Sequence, residues 1–176
     1  DHGLTPFPAC QAGSFSQSAV GNSLVITAAD TLGGAAASNY SIIQPTSLSA
    51  SITPKSLTVS GISVSNKVYD GTTAASATTG TLVGLVTADI PNVSLTQSAT
   101  FSSANVGNSI PVTVVDSITG TAAANYTVVQ PSGLSANISP KTLTVTGTLV
   151  ANKVYDGTTT ASVTAGTLVG LVSADV

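Results

Sequence analysis

The stretch "NKVYDGTT" fills residues 66–73 and occurs again, without a change, at residues 152–159. The agreement extends well beyond these two copies, always at a distance of 86 positions. Between 56–90 and 142–176, 25 of 35 amino acids are identical. Self-similarity at a fixed spacing is the sequence signature of repeated structural units. The sequence therefore predicts a tandem array with an 86-residue period.

The boundaries of the repeat are predicted at two matching proline-lysine pairs. They are Pro54 with Lys55, and Pro140 with Lys141. A proline cannot donate to a strand ladder, so it suits a strand end or a joint between modules. This division predicts a complete module at 56–141, an N-terminal segment plus the back part of a module at 1–55, and the front part of a further module at 142–176. Together, residues 5–55 and 142–176 have the length of one period.

Short runs that alternate apolar and polar residues predict half-buried strands within each period. They lie at 56–64, 92–101, 110–116, 125–131 and 134–139. Helical turns are expected only in "TAAAN" and "TADI". Apolar residues make up 42% of the chain, which is too much for a disordered low-complexity segment. We therefore predict an all-β fold of tandem small β-sandwich modules, Ig-like or a related open β-fold.

The charge and composition exclude several classes of function. The net charge is −3 and arginine is absent, so no basic surface is available for nucleic acid. The longest apolar runs are far shorter than the roughly 20 residues that a membrane span requires. The lone Cys10 cannot form an internal disulfide, and the only histidine is His2, outside the repeat. We expect no catalytic site, metal site or cofactor, because no constellation for acid-base or nucleophilic chemistry is present.

The repeated stretch itself is interpreted as a turn. Asp-Gly between extended runs favours a two-residue hairpin of type I′, in which residues 67–69 enter the turn and Thr72 and Thr73 leave it. The residues assigned this structural role are Asn66, Lys67, Tyr69, Asp70 and Gly71, with their copies Asn152, Lys153, Tyr155, Asp156 and Gly157.

Two other interpretations of the charged residues remain open from the sequence. In the first, a desolvated lysine forms an isopeptide bond with an Asn or Asp side chain. Its candidates are Lys67, Lys55, Asp89, Asp116 and the asparagines. In the second, Asp70, Asp89 and Asp116 bind calcium together with backbone oxygens. No spacing in the sequence selects either set.

The ordered pattern of motifs resembles a known family. It comprises "ITPKSLTVSG", "NKVYDGTT", "GTLVGLV", "SATFSSANVGNSIPVTV" and "GTAAANYTVVQPSGLSANISPK". This pattern, over about residues 14–176, resembles the YDG-type repeats, related to mostly bacterial Ig-like repeats, of large secreted adhesins similar to filamentous haemagglutinins. Residues 1–13 depart from it. The resemblance implies an extracellular or bacterial cell-surface array of all-β modules that acts as a stalk, spacer or fibre and carries no catalytic residues.

We therefore expect a non-catalytic structural repeat whose partners are copies of itself. The front part at 142–176 of one chain would complete the back part in 1–55 of the next, and such a head-to-tail contact would build a filament. One alternative is a stalk segment cut from a long adhesin. Another is a module that binds glycan or a host protein through loops such as "GTAAANY".

Overall fold

The structure is a computed structural model that describes residues 9–175, and its regular elements are mostly short β-strands. The first part of the chain contains β1 (Ala9–Phe15), β2 (Gly21–Leu32) and β3 (Ser49–Ile52). The middle part contains β4 (Lys55–Ser60), β5 (Lys67–Val68), β6 (Thr81–Val83), β7 (Ser94–Phe101), β8 (Gly107–Thr119), β9 (Tyr126–Val128) and β10 (Ser135–Ser139). The last part contains β11 (Thr144–Thr146), β12 (Leu149–Val150), β13 (Val163–Thr164) and β14 (Thr167–Val169). The prediction of an all-β fold is confirmed.

Four short 3₁₀ turns complete the secondary structure of residues 9–175. They are Ala37–Asn39, Thr87–Asn92, Ala123–Asn125 and Ser173–Asp175. The helical turns predicted in "TADI" and "TAAAN" are thus present. Across residues 9–175, no helical element is long and apolar enough to cross a bilayer.

The middle part of the chain, residues 56–141, is called the middle repeat below. It is built on two sheets, with strand orders β5-β10-β8-β7 and β6-β4-β9. Strand β8 pairs antiparallel with β7 and with β10, and β4 pairs antiparallel with β6. Two pairs are parallel, β5 with β10 and β4 with β9. Each parallel pair joins the front of the repeat, 56–90, to its back, 91–141.

The alternation of side chains in β8 explains the position of the core. Ile110, Val112 and Val114 are buried, whereas the intervening Pro111 and Thr113 are exposed. Successive residues of a strand point to opposite faces, so Ile110, Val112 and Val114 all face one side. Phe101 and Ile138 join them in one hydrophobic cluster.

A second cluster lies at the three-stranded sheet. It contains Leu57, Val93, Ala122 and Tyr126. Leu57 of β4 has no exposed surface at all. Ile118 of β8 packs against this second cluster, so β8 contributes side chains to both clusters.

Two predicted strands are shorter than expected. The strand predicted at 56–64 ends at Ser60, because Gly61 follows with a φ of 79° that extended L residues do not adopt. The strand predicted at 125–131 is only three residues long. Beyond this strand, the Gln130 side chain is hydrogen-bonded to the backbone of β8. Its amide oxygen accepts from the N–H of Asp116 at 2.7 Å, and its amide nitrogen donates to the carbonyl of Asp116 at 2.8 Å.

The flanking parts have sheets but little burial. Residues 9–55 form the three-stranded sheet β1-β2-β3, and the last part forms the two-stranded sheets β11-β14 and β12-β13. Among residues 12–55 and 142–173, no side chain is buried. Pro54 lies between β3 and β4, and Pro140 follows β10, so both prolines stand at strand ends as predicted. The assignment of these prolines to module joints stays a prediction.

Candidate functional site

The repeated turn at 66–73 is closed by the ammonium group of Lys67. The Lys67 side chain is only 16% exposed. Its Nζ donates to Asp70 Oδ1 at 2.7 Å, to the carbonyl of Thr72 at 2.6 Å and to the carbonyl of Ala74 at 3.0 Å. It also lies 5.5 Å from the ring centroid of Phe101, within the range of a cation–π contact. One side chain thus fixes the path of the loop over the core.

Asp70 is the second element of the turn. Its Oδ1 accepts hydrogen bonds from the backbone N–H and the hydroxyl of Thr72, both at 2.9 Å. The hydrogen bond from Lys67, followed by those from Thr72, lowers the pKa of Asp70 to about 2. The carboxylate is therefore ionised at neutral pH, and Gly71 supplies the positive φ of 77° that the chain needs after it.

The prediction of a two-residue type I′ hairpin is wrong. That turn requires positive φ at both central residues, but among the described non-glycine residues positive φ occurs only at Ser23, Ser47 and Ser109. The chain instead makes a longer loop, closed at its base by backbone bonds such as Ser65 N–H to the carbonyl of Ser76 at 2.9 Å. Side chains of the loop replace the backbone bonds that a tight hairpin would have made.

Asn66 and Tyr69 connect the loop to other parts of the chain. Asn66 Oδ1 accepts a hydrogen bond from the backbone N–H of Asn137 at 2.7 Å, and the backbone N–H of Tyr69 donates to the carbonyl of Ser139 at 2.9 Å. The Tyr69 hydroxyl donates to Asp175 Oδ1 at 2.8 Å. This bond is the main cause of the raised pKa of Tyr69. The turn therefore touches both β10 and the last part of the chain.

The second copy of the turn has the same internal geometry. Lys153 Nζ donates to Asp156 Oδ1 at 2.8 Å and to the carbonyl of Thr158 at 2.8 Å, and Gly157 has a φ of 73°. The hydrogen bond from Lys153 is the main cause of the lowered pKa of Asp156. In contrast, Tyr155 is 94% exposed. The residues of the motif thus form the turn wherever they occur, and the neighbours differ.

Of the predicted joint residues, Pro140 and Lys141 lie near the first turn and Lys55 lies in β4. Lys55 pairs with Tyr126 through the backbone of β4 and β9. Pro140 and Lys141 line a small cavity with Tyr69 and Asp175. Asp175 is not among the residues predicted from the sequence, because its contact with Tyr69 spans 106 positions. The sequence does contain one signal of Asp175: Tyr69 recurs as Tyr155 and Asp89 recurs as Asp175, both at the 86-residue spacing.

The structure does not bring Lys67 together with the isopeptide candidates Asp89 and Asp116. An attacking lysine must be a neutral amine, whereas Lys67 is hydrogen-bonded to an ionised carboxylate. Asp89 is bound instead by the Tyr126 hydroxyl at 2.6 Å, and Asp116 by the Gln97 amide at 2.7 Å. Lys67, Asp89 and Asp116 therefore lie in separate environments, whereas Lys55 and Asp89 line one cavity.

The calcium hypothesis is not supported either. Within residues 9–175, no three His, Cys, Asp or Glu side chains lie close enough to hold a metal ion.

The loop "GTAAANY" contributes to the core, since its Tyr126 is buried and bonded to Asp89. That hydrogen bond is the main cause of the raised pKa of Tyr126. His2 lies outside the described residues.

A family model matches most of the chain. The YDG domain model matches residues 53–133 and 139–176, which together are more than half of the chain and include both turns. The chain belongs to the YDG domain family. The two matches of the YDG domain begin 86 positions apart. Comparisons with curated proteins and with solved structures give no significant match.

Proposed function

We propose that these YDG domains are non-catalytic structural repeats of a bacterial extracellular fibre or surface adhesin, and that copies of the chain join head to tail. In this proposal, the front part of a repeat at the C-terminal end of one copy completes the back part at the N-terminal end of another. The observation that carries the proposal is the way in which the middle repeat is closed.

The front and the back of the middle repeat are held together by two parallel strand pairs. Ile138 of β10 lies opposite Lys67 of β5, and Tyr126 of β9 lies opposite Lys55 of β4. The residues 86 positions away from these pairs form no parallel ladder. Residues 40–42, which correspond to β9, and residues 152–159, which correspond to the turn with β5, are not in strands. Between two copies, Lys153 would lie opposite Ile52, and Lys141 opposite Tyr40.

Burial differs between corresponding side chains in the way that this proposal requires. Phe101 is 2% exposed and Phe15 is 42% exposed. Leu57 and Tyr126 are buried, whereas Leu143 and Tyr40 are exposed. Burial of each large apolar side chain contributes about 1.5–3 kcal/mol, so completion of the repeat between copies would be favoured by several such terms.

The structural role is supported by the chemistry of the turn. The reactive groups of the motif, Lys67 and Asp70, satisfy each other and the loop carbonyls. The extracellular bacterial setting rests on the resemblance of the repeat pattern to secreted adhesins. Chains of low charge rich in Ser and Thr suit stable ladders with polar outer faces.

Negative-stain electron microscopy and sedimentation of the 176-residue chain would test the proposal. We expect uniform fibres whose formation depends on concentration, and loss of fibres when residues 142–176 are deleted. The Phe15→Ala variant should weaken assembly, whereas the control Val115→Ala, at an exposed position of β8, should not. Fibres that persist in the deletion variant would contradict completion between copies.

A stalk segment of a longer adhesin is the second candidate. The adjacent matches of the YDG domain favour it, because neighbouring repeats of one polypeptide could complete each other in the same way. Single particles of the 176-residue chain at every concentration would support this candidate and contradict the homopolymer.

A further inference from the structure

Tyr69 connects the middle repeat to the part of the chain that follows it. Its hydroxyl donates to Asp175 Oδ1 at 2.8 Å, beside Val106, Lys141 and Val172, in a cavity of about 160 Å³. The tyrosine belongs to the turn of one repeat, and the aspartate to the 3₁₀ turn of the next. This contact is a joint between consecutive repeats.

A second cavity lies where the first part of the chain meets the middle repeat. It has a volume of about 390 Å³ and is lined by Val20, Lys55, Val86 and Asp89, among others. Each of these four residues lies 86 positions before a residue that lines the first cavity. The two cavities therefore occupy corresponding positions in successive repeats, but neither Tyr69 nor Tyr155 lines the larger one.

Asp89 uses only one of its oxygens within the described part of the chain. Its Oδ2 accepts the hydrogen bond from Tyr126 at 2.6 Å, and the structure places no donor on Oδ1. In Asp175, Oδ1 is the oxygen that accepts the bond from Tyr69. One carboxylate oxygen of Asp89 thus has no hydrogen-bond donor within residues 9–175.

A different contact is present in the cavity at Asp89, between Val20 and Asn125. The backbone N–H of Val20 donates to Asn125 Oδ1 at 2.9 Å and ties the first part of the chain to the middle repeat. One joint therefore shows the Tyr–Asp bond and the other shows the Val–Asn bond. A complete joint would have both.

We propose that Tyr155 of a second copy enters the cavity at Asp89 and donates its hydroxyl proton to Asp89 Oδ1. This inference rests on the proposed head-to-tail completion and identifies the contact that fixes its geometry. Tyr155 is 94% exposed, and its turn has the same lysine–aspartate closure as the turn of Tyr69. If Lys153 pairs opposite Ile52 of the second copy, Tyr155 follows two residues later, as Tyr69 follows Lys67.

The chemistry of the cavity fits a phenol. A hydrogen bond from a hydroxyl to a carboxylate is short and stronger than one between neutral groups. The ring would lie against Val20 and the methylene groups of Lys55, which both line the cavity. Asp89 would then hold two tyrosines, Tyr126 of its own repeat and Tyr155 of the preceding one, with one oxygen for each.

Assembly of full-length variants tests this contact. Tyr155→Phe retains the ring and removes the donor, and Asp89→Asn retains an acceptor for Tyr126 and removes the charge. We expect each variant to require an about tenfold or higher protein concentration for assembly, measured by sedimentation velocity. The matched control is Tyr69→Phe, which makes the same change in the turn whose joint is already within one chain, and it should shift this concentration by less than about threefold.

A mixture of the two variants locates the contact. The Tyr155→Phe copy still has Asp89, and the Asp89→Asn copy still has Tyr155, so the mixture can form one intact joint and should give dimers at wild-type concentrations. Wild-type-like assembly of both variants, equal weakening by Tyr69→Phe, or absence of dimers in the mixture would overturn the contact while head-to-tail assembly stands. A wild-type chain that never assembles would overturn both proposals.

Discussion

The turns at 66–73 and 152–159 have the same eight amino acids and different surroundings. In both, a lysine reaches an aspartate three residues later and the carbonyl of the following threonine. The first turn packs over Phe101 and holds its lysine at 16% exposure, whereas the lysine of the second turn is 37% exposed. The comparison separates what the motif does by itself from what a complete repeat adds. Local hydrogen bonds shape the loop, and the back of the repeat provides its anchorage.

The largest expected difference concerns the aromatic residue beneath the turn. Phe101→Ala should lower the free energy of unfolding of the middle repeat by about 3–5 kcal/mol, because it leaves a cavity in the core on β8. Phe15→Ala, at the corresponding exposed position, should cost less than about 1 kcal/mol in the unassembled chain. Urea denaturation at low protein concentration measures both values. Similar losses for the two variants would show that the first part of the chain has a packed core of its own.

An intermediate difference in melting temperature is expected between variants of the two turn lysines, Lys67 and Lys153. Lys67→Ala removes the ammonium donor from two loop carbonyls and from the Asp70 carboxylate, which keeps its bonds from Thr72, so the melting temperature should fall by on the order of 5 °C. Lys153→Ala should lower it by about 1 °C or less, because the second turn is not attached to a core. Differential scanning calorimetry gives both values, and equal shifts would mean that the two turns contribute alike.

The smallest expected effect is a dependence of stability on acid. The folded pKa of Asp70 is about 2, below the value of about 3.9 in an unfolded chain, so the unfolded chain takes up this proton first as the pH falls. The stabilisation is complete above about pH 4 and is lost between about pH 4 and pH 2. The melting temperatures of the native chain and of Asp70→Asn should therefore converge towards pH 2. A difference in melting temperature that stays constant from pH 7 to pH 2 would argue against the ion pair with Lys67. The matched control is Asp156→Asn, which makes the same change in the second turn.

Much of the fold could be predicted because it depends on local alternation. Strands β7 and β8 follow the two-residue period of their apolar residues, and the 3₁₀ turn at Thr87–Asn92 lies where a helical turn was expected. The shortened strand before Gly61 shows the limit of this signal. Whether a glycine adopts positive φ depends on where the chain must go next, and the amino acid alone does not specify it.

The candidate site was predictable in its residues but not in its contacts. The recurrence of "NKVYDGTT" selected Lys67 and Asp70 without indicating that the lysine closes the loop. The parallel pair of β5 with β10 spans about seventy positions, and no side-chain pattern marks the register of a strand only two residues long. The bond between Tyr69 and Asp175 likewise depends on how consecutive repeats pack, which the sequence of one repeat does not contain.

The two parallel strand pairs of the middle repeat also determine how it would carry mechanical load. Tension applied at Lys55 and at Pro140 pulls β4 from its N-terminal end and β9 from its C-terminal end, and it pulls β5 and β10 in the same opposed manner. Both ladders are then loaded in shear, so their hydrogen bonds must break together and cannot peel apart one at a time. The connectivity that closes the repeat also makes it resistant to stretching along the chain.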